Sequence, residues 1–178
     1  FDVIAEAGPF RESDTVLIYH QLLVCAADER STSRLVPESI LLSANGKVSL
    51  REPPQQRATL DAPAAVGRDA TDDGAPRLAA ESDDGWRPYV APEDMMAPSR
   101  SAQPADAPRS GAATVWCLGV LLFYMLAGYP PFACASRHEC AYFKEYDDSN
   151  ELCFPHTFSW RAIRLLCRML HLDASKRI

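Results

Sequence analysis

The stretch from Thr114 to Phe132, T-V-W-C-L-G-V-L-L-F-Y-M-L-A-G-Y-P-P-F, is the most apolar part of the chain and constrains its fold more than any other. Val115, Leu118, Leu121, Leu122, Met125 and Leu126 recur at helical spacing, while Trp116, Val120 and Phe123 fill the other side. A helix that is apolar almost all round has to be covered on every side, so it belongs at the centre of a domain. The run is well short of the roughly 20 residues a bilayer needs, and Gly128 with Pro130 and Pro131 stops it. The segment therefore predicts a central buried helix and a tight turn, with no membrane span.

A helix of that kind needs a sizeable shell, and 178 residues with 47% hydrophobic content supply one. The net charge of −6 speaks against nucleic acid or an anionic membrane surface as partner, because both require clustered Lys and Arg. No charged segment leads into an apolar one at the start, so an intracellular, cytoplasmic location is expected. The chain opens on Phe1 in what reads as the middle of a domain, and a fragment is expected. Cys25, Cys117, Cys134, Cys140, Cys153 and Cys167 show no C-x-x-C pairing and read mostly as reduced core thiols. Cys134, His138, Cys140, Cys153 and His156 fit no standard zinc spacing, so no metal site is expected there.

Phe1 to Ala7 reads as a short helix closed by Gly8-Pro9. Ser13 is placed to cap a second helix through about Ala27, with Val16, Leu17, Tyr19, Leu22, Leu23 and Ala26 toward the core. Ile40 to Leu42 and Lys47 to Leu50 flank Ser43-Ala44-Asn45-Gly46, and Asn-Gly between short apolar runs signals a hairpin. Residues 53–84 and 97–113 are rich in Pro, Ala, Asp and Ser without periodicity, and read as low-complexity, disordered insertions. Between them, Gly85 to Met96 regains aromatic and apolar character. Beyond Phe132, Cys140 to Tyr146 predicts a short helix and Phe154-Pro155 a turn. Ser159 is set to cap Trp160 to Leu172, which would bury Ile163, Leu166, Cys167, Met169 and Leu170. The expected fold is mainly α with one small β-hairpin.

Four stretches stand in an order that carries a resemblance: R-L-V-P-E-S-I-L-L with S-A-N-G-K-V-S-L, then G-W-R-P-Y-V-A-P-E, then V-W-C-L-G-V-L-L-F-Y-M-L-A-G-Y-P-P-F, then L-L-C-R-M-L-H-L-D-A-S-K-R-I. Together they resemble the large, C-terminal lobe of a eukaryotic protein kinase. The opening F-D-V-I-A-E-A-G-P-F, the Y-H-Q-L-L helix and the Cys153-Phe154-Pro155 turn are similar to the calcium/calmodulin-dependent and AMP-activated branch of serine/threonine kinases. The resemblance implies a large-lobe fold across residues 1–178. It also implies that the Gly-rich phosphate loop, strand Lys and helix Glu of the small lobe lie outside this sequence.

The same resemblance implies a degenerate site. The family's His-Arg-Asp-Leu-x-Pro-Glu-Asn loop corresponds to Thr32-Ser33-Arg34-Leu35-Val36-Pro37-Glu38-Ser39. Arg34 then replaces the catalytic Asp, and a permanently cationic side chain with no acceptor cannot take a proton from a hydroxyl. Val36 stands where a Lys steadies the transferred group, and Ser39 where an Asn holds magnesium. The Asp-Phe-Gly motif corresponds to Glu52-Pro53-Pro54, in which Glu52 is a weak candidate metal ligand, and Thr114 replaces the Asp that anchors the catalytic loop. Trp86 and Arg87 alter the loop that would recognise a peptide substrate.

Scaffold positions persist by contrast: Tyr89, Pro92, Glu93, Trp116, Gly119, Gly128, Phe132 and Arg177, with Glu93 and Arg177 matching the family's buried ion pair. The expectation is an inactive pseudokinase that acts by protein binding or allosteric regulation, its partner another protein such as an active kinase or its substrate. ATP and Mg are expected only if a small lobe lies upstream and the site is residually competent. The alternatives are a divergent ATP-dependent serine/threonine kinase with residual activity, a helical adaptor unrelated to kinases, and a decaying or mis-joined reading frame. Thr59, Thr71 and Ser82 are candidate phosphorylation sites, set against an inert linker.

Overall fold

Helix α4, Gly111–Ala127, has almost no polar face to turn toward water, and the surrounding elements cover it. The computed structural model describes residues 2–27, 35–51, 85–95 and 111–178. Trp116 through Phe123 and Met125 are all buried, and each large apolar side chain removed from water contributes about 1.5–3 kcal/mol. The helix begins three residues before the expected Thr114. Gly111 to Ala113 therefore belong to it and not to the 97–113 insertion, because Ala favours helix and the Ala113 methyl group is itself buried. The remainder of that insertion, residues 97–110, and the 53–84 insertion lie outside the described residues.

Helix α1 (Asp2–Ala7) leads through Gly8 into α2 (Glu12–Ala26). The α2 cap is Arg11, not Ser13: the Arg11 carbonyl accepts the N–H groups of Asp14 and Thr15, and no side chain caps the end. Glu12 and Asp14 in the first turn complement the helix dipole instead. The buried face consists of Thr15, Tyr19, Leu22 and Ala26, and Tyr19 donates its hydroxyl to the Leu118 carbonyl on α4 at 3.0 Å. Val16, Leu17 and Leu23 are consequently on the outer arc, 62%, 68% and 41% exposed, contrary to the expectation that they face the core. Apolar residues occupy both arcs of α2, so the 3.6-residue period could not separate the covered face from the open one.

Strands β1 (Ile40–Leu42) and β2 (Val48–Leu50) form the antiparallel hairpin, with Leu41 opposite Ser49. Gly46 takes a positive φ of 77° and donates its N–H to the Ser43 carbonyl at 2.8 Å, as the Asn-Gly turn demands. Gln21 of α2 clips the hairpin down, donating to Gly46 O at 2.9 Å and accepting from Val48 N–H at 3.1 Å.

Also packed against α4 are α5 (Ala141–Ser149), whose Phe143 meets Trp116, and α6 (Trp160–Met169), whose Met169 meets Tyr19 of α2 as well. The Ser159 hydroxyl accepts from Ala162 N–H at 3.2 Å, the N-terminal cap its position predicted. Helix α6 ends at Met169, short of Leu172, and a 3₁₀ turn follows at Ala174–Lys176. Gly119 lets α6 approach: a Cβ there would stand 2.9 Å from Leu170 Cδ2 and 3.0 Å from Met169 Cβ. Ala162, Leu166 and Met169 face inward, whereas Cys167 is exposed, because a position between Leu166 and Arg168 falls on the outer arc. Cys117, Cys134 and Cys140 are buried and Cys153 is exposed, so half of the thiols, not most, are core residues. Trp116, Phe132, Phe143 and Tyr146 form one aromatic cluster and Phe123, Phe154 and Phe158 another.

The architecture is thus mainly helical with one two-stranded hairpin, organised around α4. Among the described residues α4 is the longest helix, and none is long and apolar enough to cross a membrane.

Candidate functional site

Two groups of sequence-singled residues hang on the first half of α4. The first is the loop Leu35–Ser39, which leads into β1. Pro37 opens a 3₁₀ turn, Pro37–Ser39, where its fixed φ is already suitable and its missing N–H costs nothing. Ser39 is 2% exposed: its hydroxyl donates to the Val36 carbonyl at 2.8 Å and accepts from the Val36 N–H at 3.3 Å. The Ser39 carbonyl in turn accepts from Arg51 N–H at 2.7 Å, closing the end of the hairpin onto the loop. Val36 is also buried, so the loop turns an apolar side chain and an occupied hydroxyl inward. Glu38 alone of Leu35–Ser39 faces solvent, beside Gly85, where an added Cβ would lie 3.6 Å from Glu38 Oε1.

The tether of this loop to α4 is one that sequence reasoning missed. The Cys117 thiol donates to the Leu35 carbonyl at 2.8 Å, with both residues buried. Thr114, singled out as the anchor position, is half-buried in the first turn of α4. Cys117 carried no signal beyond an apolar position on a buried helix, since a thiol that packs and a thiol that donates look alike in sequence. Arg34 and Glu52 lie outside the described residues.

The second group surrounds Arg177, whose side chain is fully buried. Nη1 and Nη2 donate to the two carboxylate oxygens of Glu93 at 2.6 and 2.8 Å, the parallel two-bond geometry that suits a guanidinium. The remaining donors reach Ala112 O at 3.1 Å, Leu172 O at 3.3 Å and, from Nε, His171 O at 2.8 Å. All five N–H groups are therefore satisfied. The guanidinium also lies over the Trp116 ring, 4.9 Å from its centroid. Pro92 starts helix α3 (Pro92–Met95), which holds Glu93 in place. Trp116 is buried with its indole N–H unpartnered among the described residues, so Arg177 touches it through the ring face alone.

Between these groups, the 3₁₀ turn Arg87–Tyr89 buries Tyr89, whose phenol is pushed far above its usual range, first by burial and then by Tyr124 and Glu38. Arg87 pairs with Glu139 in the turn before α5, and this contact holds the Glu139 carboxyl below the usual carboxylate range. Among the described residues no group of three or more His, Cys, Asp or Glu side chains could hold a metal ion.

No protein-family model matches the chain. Curated relatives do: CBL-interacting protein kinase 33 of Oryza sativa subsp. japonica is 28% identical over the whole chain. CBL-interacting serine/threonine-protein kinase 9 of Arabidopsis thaliana is 29% identical over the same extent. The cAMP-dependent protein kinase catalytic subunit PRKX of Homo sapiens is 25% identical, again over the whole chain. The chain spans 35% and 36% of the length of the two plant kinases and 43% of the human one. Over its full length the chain is accordingly protein kinase-like, similar to serine/threonine kinases, and its helices form the large-lobe architecture of that fold.

Proposed function

We propose that the chain acts as a catalytically inactive kinase-like domain and works by binding another protein, an active kinase or its substrate. The observation that carries this reading is the state of the loop Leu35–Ser39. At the positions where an active kinase keeps a Lys and a metal-binding Asn, Val36 and Ser39 are both buried, and the Ser39 hydroxyl bonds the Val36 backbone. In the sequence, Arg34 stands where the family keeps its catalytic Asp, and a permanent cation has no acceptor for a proton.

The inward side chains of this loop suit a magnesium ion poorly, which supports the reading. Mg²⁺ demands near-octahedral oxygen ligands, and here an apolar Val36 and an inward, doubly bonded Ser39 occupy the relevant turn. No phosphotransfer step is therefore routed through these residues. The scaffold around Arg177, with every donor satisfied, supports a domain kept for its folded surface. The names of the plant relatives record interaction with CBL, a precedent for protein partners on a related chain.

The test is phosphate transfer from labelled ATP and Mg²⁺ to a panel of serine and threonine peptides, using the full polypeptide. No transfer above background is expected, before or after Arg34→Ala. Turnover comparable to an active serine/threonine kinase, lost on Arg34→Ala, would sink the reading in favour of a divergent enzyme.

A further inference from the structure

Helix α6 buries Ala162, Leu166 and Met169, and its outer arc is basic and aromatic in a chain whose net charge is −6. Arg161, Arg164 and Arg168 are exposed along that arc, together with Trp160 at 60% and Leu165 at 37% exposure. The Arg164 and Arg161 guanidinium groups lie over the Trp160 ring, 5.3 and 5.9 Å from its centroid. None of the three arginines pairs with a carboxylate among the described residues, whereas Arg87, Arg137 and Arg177 all do. Arg161 also sits in the first turn, where a cation works against the helix dipole, and that turn has no acidic residue to offset it. The Glu12 carboxylate accepts from the Ser159 hydroxyl at the start of the helix, at 2.6 Å, but among the described residues no carboxylate meets any of the three guanidinium groups.

We infer that the outer face of α6 is a docking surface for an acidic segment of a partner protein, one whose carboxylates meet Arg161, Arg164 and Arg168 while apolar side chains rest against Trp160 and Leu165. Charge complementarity selects an anionic occupant. From Arg161 to Arg168 the helix rises about 10 Å, enough for a few carboxylates of an extended peptide. Nucleic acid is the poorer match, because its backbone needs a longer cationic track and the rest of this acidic molecule would repel it. The apolar flanks fit a peptide, since Trp and Arg are the side chains that most often anchor protein interfaces. The inference extends the binding role proposed above but stands on α6 alone, for a catalytically active chain with this face would bind the same segment.

The experiment is fluorescence anisotropy of the full chain with a short labelled peptide of glutamates interspersed with leucines. Its Glu→Gln counterpart and an oligothymidylate serve as the other probes. Saturable binding of the acidic peptide is expected, weakened by added salt and weakened about tenfold or more by Arg161→Glu, Arg164→Glu and Arg168→Glu together. Arg164→Gln alone should weaken it severalfold, so the inference stays testable if the triple variant does not fold. Absence of binding, equal affinity for the Gln peptide, undiminished affinity in Arg164→Gln, or tighter binding of the oligothymidylate would each overturn it. Phosphate transfer is read in a separate assay, so failure here leaves the proposed inactivity untouched and failure there leaves this surface untouched.

Discussion

The Arg177 node and the Leu35–Ser39 loop are both fastened to the first half of α4, yet they are built on opposite terms. At the node, a charged side chain is buried completely and every one of its donors is met, two of them by a carboxylate 84 residues away in sequence. In the loop, the inward side chains include a valine and a serine whose hydroxyl bonds the neighbouring Val36 backbone. A buried ion that is fully paired is tolerable, while a half-paired one is costly, so a node of this kind is either kept whole or lost. A loop of short local hydrogen bonds can change residue by residue without endangering the fold. The difference teaches that the two attachments to α4 are of unlike kinds: one is a charge buried with all its partners, the other a short loop closed by its own backbone and one thiol.

The comparison breaks most visibly at the node. Arg177→Ala should destabilise the chain by about 3–5 kcal/mol in urea unfolding, since it strips Glu93 of its partner and orphans three carbonyls at once. A loss near zero would mean the node is no more than a surface pair. Gly119→Ala comes next: the added methyl group has to push Leu170 and Met169 away, and a net cost of about 1–2 kcal/mol remains after the helix gains from losing a glycine. Ser39→Ala should cost about 1 kcal/mol, because the Val36 N–H loses its acceptor, and should leave any thermal shift with ATP and Mg²⁺ unchanged. Abolition of a magnesium-dependent shift by that substitution would instead make Ser39 a ligand and erase the contrast.

The smallest effect concerns pH. Burial pushes the Tyr146 phenol, which donates to Leu170 O at 2.6 Å, up to about 12, with Cys167 adding and Arg177 opposing. A raised phenol favours the folded state while the unfolded one has not ionised. Its contribution is therefore whole below pH about 10 and is lost as the pH climbs toward 12. Tyr146→Phe should flatten the alkaline limb of the stability profile between those values, and an unchanged limb would assign the fall to other groups.

Much of the fold was legible because its strongest signals are local. Asn45-Gly46 specifies a hairpin turn by backbone geometry, and Ser159 caps α6 through a hydroxyl that accepts the N–H three residues on. Helix α4 announced its burial through composition alone. What sequence could not resolve was which of two apolar arcs would be covered: Val16, Leu17 and Leu23 match Tyr19 and Leu22 in hydrophobicity, and only the seating of α2 on α4 separates them. Ordered motifs allowed Arg177 and Glu93 to be named as a pair. The inward turn of Ser39 and the Cys117 thiol on Leu35 were not legible, because rotamers and thiol hydrogen bonds leave no trace in residue order.

The seating of α2 has a further consequence, for biosynthesis. Tyr19 finds its acceptor 99 residues later, Glu12 meets Ser159 at a separation of 147, and Phe10 donates its N–H to Met125. As the ribosome extends the chain, α1 and α2 emerge long before the helix they dock on exists. Contacts of such high sequence separation close slowly, and loop-closure entropy must be met before they form. Helix α2 thus passes a long interval with both apolar arcs open to chaperones, until translation delivers α4 and the core can nucleate on it.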